Sequence, residues 1–144
     1  MTATPRAVEL AAAAAVAAAD KLARDIQAFD VSERLAITDV FVLASAPNEP
    51  QVRSIVDAVE ERLRGLGAKP IRREGQHEGR WVLLDYAEIV VHVQHSEERT
   101  FYALERLWKD CPAIQLPAEA RASGGRDDAR DADEIRRSVV VGGS

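Results

Sequence analysis

The chain has 144 residues, 47% of them apolar and 30% charged, with a formal net charge of −5. That length and mix describe one soluble domain plus tails, large enough to bury a core without a covalent staple. The acidic balance and the interleaving of basic with acidic residues argue against non-specific nucleic-acid binding. The single cysteine, Cys111, excludes an internal disulfide and a thiolate metal cage.

Residues 5–24 read as a helix. Val8, Ala12, Ala15, Ala19, Leu22 and Ile26 recur at spacings of four and three, and the small alanines permit close packing on a sheet. Alanine is only weakly apolar, and Glu9 and Asp20 bracket the run, so neither a signal peptide nor a membrane span is expected. "DIQAFDV" then turns to alternation and a short strand. "ITDVFVLASA" is rich in β-branched and aromatic residues, and its near-continuous apolar run predicts a central strand covered on both faces. Asn48 as cap, Pro50 in the first turn and Gln51 three residues beyond Asn48 open a second helix. Its apolar stripe is Val52, Ile55, Val56, Val59, Leu63 and Leu66, and Gly65 and Gly67 end it.

"AKPIRREGQHEG" predicts a short edge strand and a polar loop. "RWVLLDY" and "EIVVHVQ" are two strands a few residues apart, hence an antiparallel hairpin. Trp81, Leu83 and Asp85 share one face of its first strand, and Val82, Leu84 and Tyr86 the other. Ser96 is expected to cap a last helix with an acidic first turn, Glu97 and Glu98. Its apolar stripe would be Phe101, Leu104, Leu107 and Trp108, with Lys109 at its C-terminal end and Pro112 as its stop. The domain is expected to span 1–111, with 112–144 a disordered charged tail ending in the unexplained run Val139–Val141. The fold class is α/β, a mixed sheet of about five strands flanked by helices.

No catalytic centre assembles from these pieces. His92 and His95 lie three apart on a strand and so face opposite ways, and His77 sits on a distant loop, which gives no metal site. Cys111 is expected at a helix C-terminus, a position that does not activate a thiol, and no Gly-rich phosphate loop follows a strand. No enzymatic activity, cofactor or metal is expected. What stands out is a strand face carrying both Trp81 and Asp85. It is either a docking hot spot, or Trp81 packs under a helix while Asp85 serves the turn.

In their order and spacing, "ITDVFVLASA", "QVRSIVDAVEERL", Glu74–Gly75, "WVLLDYAEIVVHV" and "RTFYALERLW" resemble the ribosomal silencing factor family, also called Iojap-like, over residues 6–110. The resemblance implies a cytoplasmic repressor of translation that binds the fourteenth protein of the large ribosomal subunit and blocks joining of the small subunit. It implies a fold similar to that of nucleotidyltransferases, although the catalytic turn and paired acids of a transferase are missing here. It assigns docking to Trp81, Leu83, Leu84, Asp85 and Tyr86, with Trp81 as apolar anchor and Asp85 meeting a basic group. Arg99, Tyr102 and Trp108 match the last helix, with Arg99 at the rim of the site. The turn Ala87–Glu88 stands where the family often has Gly–Asp, and "SAPNEPQ" replaces a Ser/Asn-rich helix start. The alternatives are a large-subunit assembly factor using the same surface, a nucleotide-binding transferase, and self-association as a homodimer.

Overall fold

The computed structural model describes residues 2–76 and 79–124, the side chains of 76 and 122–124 excepted. The order is α1 (Pro5–Asp20), β1 (Arg24–Asp30), β2 (Val40–Ala46), α2 (Glu49–Gly65), β3 (Arg72–Gln76), β4 (Trp81–Asp85), β5 (Ile89–His95), α3 (Ser96–Tyr102), a 3-10 turn (Leu104–Arg106) and α4 (Ala118–Gly124). The strands form one mixed sheet in the order β1-β2-β5-β4-β3. β2 and β5 run parallel, and the other three pairings are antiparallel. The expected α/β fold with a five-stranded mixed sheet and flanking helices is thus present.

Helices α1 and α2 cover one face, which can be called the inner face. Val40, Val42 and Ala44 of β2, Val91 and Val93 of β5, and Val82 and Leu84 of β4 pack there against the alanines of α1 and the stripe of α2. Alternation puts a smaller apolar group on the outer face of β1 and β2, where Phe29, Leu43 and Phe41 meet Leu35, Leu104, Trp108 and Cys111. β2 is therefore covered on both sides, as its composition requires.

The helix ends follow local chemistry. Asn48 caps α2, its side chain accepting from the Gln51 N–H at 2.9 Å. α2 closes with the Ala68 N–H on the Leu63 carbonyl and the Gly67 N–H on Arg64, and Gly67 takes the left-handed φ of 84° that this closure needs. α1 ends in the same way but earlier than its periodicity predicts. The Ala23 N–H bonds the Ala18 carbonyl, the Leu22 N–H bonds Ala19, and Leu22 takes a φ of 64°. A leucine there bears a left-handed strain of about 1–2 kcal/mol. Its side chain is exposed, so little packing is lost by removing it. Leu22→Gly is expected to raise stability by roughly 0.5–1 kcal/mol after the entropic cost of glycine, read as a higher urea midpoint.

Three expectations about the last third of the domain need correction. The cap of α3 is His95, whose Nδ1 accepts from the Glu97 N–H at 3.1 Å, and Ser96 is the first helical residue. The helix does not run on to Pro112. It breaks at Ala103, which takes a left-handed φ of 48°, so Phe101 and Leu107 are exposed while Leu104 and Trp108 turn onto the sheet. Arg99 gives the physical reason. Residues six apart on a straight helix point about 120° apart; the break turns Glu105 back to accept from Arg99 Nε at 3.0 Å.

The fold also continues past 111. The Asp30 N–H bonds the Pro112 carbonyl and the Ile114 N–H bonds the Ala28 carbonyl, covering the outer edge of β1. Leu116 and Ala120 are buried in the core. The proposed tail is accordingly ordered from Pro112 into α4, while Val139–Val141, like His77, lies outside the described residues. The far edge, β3, carries Arg72, Arg73 and Glu74, charges that suit a strand that no described strand pairs on its outer side.

Candidate docking face

The outer face divides into two halves. Over β1, β2 and β5 lie α3, the 3-10 turn and the segment to Cys111. Over β4 and β3 no described element lies except the end of α3, which reaches Trp81 through Tyr102, so Trp81, Leu83 and Asp85 are half-buried in an otherwise finished sheet. Pairing fixes the neighbours. Asp85 lies opposite Val90 and Arg72, Leu83 opposite His92 and Glu74, and Trp81 opposite Gln94.

Trp81 is locked on its own side of this face. Its indole N–H donates to His92 Nδ1 at 3.2 Å, and its ring lies 5.0 Å from that of Tyr102. Ring contacts run on from exposed Phe101 through Tyr102, Trp81, His92 and Phe41 to Trp108. Because Nδ1 of His92 accepts, the ring is neutral and carries its proton on Nε2. Burial, aided by the Arg99 charge, lowers its pKa to about 4. The folded state thus resists a proton that the unfolded chain takes up near pH 6.5. Stability contributed by neutral His92 is complete above about pH 6.5 and is lost as pH falls toward about 4. Urea midpoints at pH 7, 6 and 5 are expected to fall in that order, and His92→Gln should flatten the slope.

Asp85 is committed to the hairpin. Its Oδ1 accepts from the Ala87 N–H at 2.8 Å, holding Ala87 at a left-handed φ of 70° in the turn. Its Oδ2 accepts from Arg72 Nη2 at 3.2 Å. The Glu88 carbonyl beyond the turn takes the N–H groups of Asp39 and Val40, which ties the hairpin to the start of β2.

The sequence-derived residues do not all share one surface. Leu84 and Tyr86 point to the inner face and are buried. Burial, with the Glu60 charge adding, pushes the Tyr86 phenol up to about 12. Arg99 is 5% exposed, not at a rim. It reaches across the sheet from α3, donating to Gln27 Oε1 on β1 at 2.8 Å and to Glu105, so it pins α3 from beneath. Arg80 fixes the start of the same helix by ion pairs to Glu97 and Glu98 at 2.7 and 3.1 Å, and reaches Glu49 of α2 at 3.6 Å. Sequence reasoning did not place Arg72 on this face and used Glu74 only for the family resemblance; the signal for both was their place in a short strand paired beside "WVLLD". Among the described residues, no group of three His, Cys, Asp or Glu side chains stands close enough to hold a metal, and no helix is long and apolar enough to cross a membrane.

The family model described as "Ribosomal silencing factor during starvation" matches residues 4–139. The chain is 38% identical over 103 residues to ribosomal silencing factor RsfS of Bacillus subtilis, covering 72% of this chain and 87% of that protein. It is 34% identical over 116 residues to the chloroplastic protein Iojap of Arabidopsis thaliana, covering 78% of this chain but 45% of that one. A crystal structure of a Chromobacterium violaceum protein superposes with a TM-score of 0.67 at 29% identity, over 76% of this chain and 88% of the other.

Proposed function

This chain belongs to the ribosomal silencing factor family, and we propose that it represses translation by docking on the fourteenth protein of the large ribosomal subunit, where it blocks joining of the small subunit. The observation that carries this reading is the open half of the outer sheet face. Trp81 and Leu83 stand there half-exposed on strands fixed by pairing on both sides, a rigid apolar patch with a charged border. Rigid aromatic anchors of this kind dominate protein–protein binding energies, because they bury large area at little entropic cost. The border supplies Asp85, Glu74 and Arg72.

Net charge supports a protein target over bare RNA. A basic ribosomal protein attracts a chain of net charge −5, whereas the phosphate backbone around it repels one. On this reading the protein works in the cytoplasm beside its target, and its role is steric and regulatory.

Sucrose-gradient sedimentation of purified subunits, at magnesium levels that favour joining, tests the reading. Added protein is expected to travel with the large subunit while free subunits accumulate. Travel with the large subunit while joining proceeds would instead favour an assembly factor. Protein left at the top of the gradient would count against docking. Sedimentation equilibrium of the same sample would show whether a homodimer covers the face.

A further inference from the structure

We propose that Arg72 is an internal stand-in for a basic side chain of the docking partner, competing with it for Asp85 and Glu74. The proposal rests on the docking reading above and concerns the regulation of that same face. Arg72 and Asp85 lie directly opposite each other on β3 and β4, and Glu74 lies opposite Leu83. Residues two apart on a strand share a face, so these four side chains form one square on the open half of the sheet. Within it the guanidinium of Arg72 bridges both acids, Nη2 to Asp85 at 3.2 Å and Nη1 to Glu74 at 3.3 Å. Since Asp85 Oδ1 already holds the Ala87 N–H, Oδ2 is the oxygen left for a partner, and Arg72 sits on it.

The arrangement is built to be exchanged. The Arg72 side chain is 62% exposed and lies on an edge strand, with Asp85 below it at 19%. Exposed pairs of this kind hold weakly, so the arm swings aside at little cost. An incoming arginine that lands over Leu83 then finds the two carboxylates that Arg72 had bridged.

The consequence is selectivity. A polycation with nothing else to offer exchanges one positive group for another and gains little. A partner that also buries Trp81 and Leu83 keeps the apolar gain, and the displaced Arg72 returns to water. Discrimination of this kind comes from weakening the wrong complex rather than strengthening the right one.

Affinity for salt-washed large subunits is the measurement. Arg72→Ala and Arg72→Gln are each expected to bind on the order of two- to fivefold more tightly than wild type, the range set by an exposed pair. Arg73→Ala removes the same charge from the other face of β3, where Arg73 pairs with Glu60 at 2.7 Å, and is expected to give no gain. Asp85→Asn keeps an acceptor for the Ala87 N–H but loses the charge. Added to Arg72→Ala, it is expected to abolish the gain. Equal or weaker binding by both Arg72 variants, with wild type bound, overturns the proposal and makes Arg72 either passive or a direct contact. An equal gain in Arg73→Ala overturns it too, by showing a general charge effect. Failure of wild type to bind large subunits would remove the docking reading itself, and the proposal with it.

Discussion

Trp81→Ala is expected to weaken binding to large subunits by on the order of 2 kcal/mol or more, roughly thirtyfold. Trp81 is the largest apolar side chain on the open face, and its position is set before any partner arrives. The bond to His92 fixes the indole at one end and the Tyr102 ring fixes it from the side. Such an anchor loses few rotamers on docking, so most of its buried area is realised as affinity. Trp81→Phe separates the two parts. It keeps a ring against Tyr102 but loses the N–H to His92, so an intermediate loss is expected. A folded Trp81→Ala protein that held large subunits as well as wild type would remove this face from the mechanism.

Leu84→Ala is expected to do the opposite: cost about 2–5 kcal/mol of stability while leaving the docking surface chemically unchanged. Leu84 is fully buried on the inner face among the residues of α1 and α2. Its neighbour Leu83 is half-exposed on the outer face, so Leu83→Ala is expected to reduce binding with little change in melting temperature. The two leucines are adjacent in sequence and belong to different problems. Thermal melts and subunit binding of the two variants, side by side, check this. A Leu84→Ala protein of normal stability with lost binding would show that the faces are wrongly assigned.

That contrast also indicates what could be read from the sequence. Alternation separated Trp81, Leu83 and Asp85 from Val82, Leu84 and Tyr86, and the structure keeps that separation. The run "WVLLDY", taken as a motif, merged both faces into one docking site. Motif matching records which residues occur together, whereas only the period of the strand records where they point. The ends of α2 and the hairpin were legible because each depends on neighbours within a few residues, and the doubly covered β2 because its apolar run is nearly continuous. The break at Ala103 was not, because it follows from Arg99 and Glu105 pairing across it, six residues apart, where the helical period would keep them on different faces. The early end of α1 was hidden by a leucine doing what glycine usually does. The segment after Pro112 looked structureless because its apolar residues, Ile114, Leu116 and Ala120, are too sparse to show a period. The spacing of Ile114 and Leu116 was the one hint of an extended stretch.

The order of strands across the sheet has a consequence for how the chain comes into being. β5 is the middle strand, yet it is the last of the described strands to be synthesised. Without it, β1 and β2 pair as one ribbon, β3 and β4 as another, and no described strand pairing joins the two. The parallel pairing of β2 with β5 must also close a loop containing α2, β3 and β4, a long-range step that slows folding. The proposed docking face draws on Trp81 from one ribbon and on His92 and Tyr102 from β5 and beyond. On the proposed docking reading, a nascent chain lacks a fixed Trp81 anchor until its central strand has been made, and is expected not to act on the ribosome that is producing it before then.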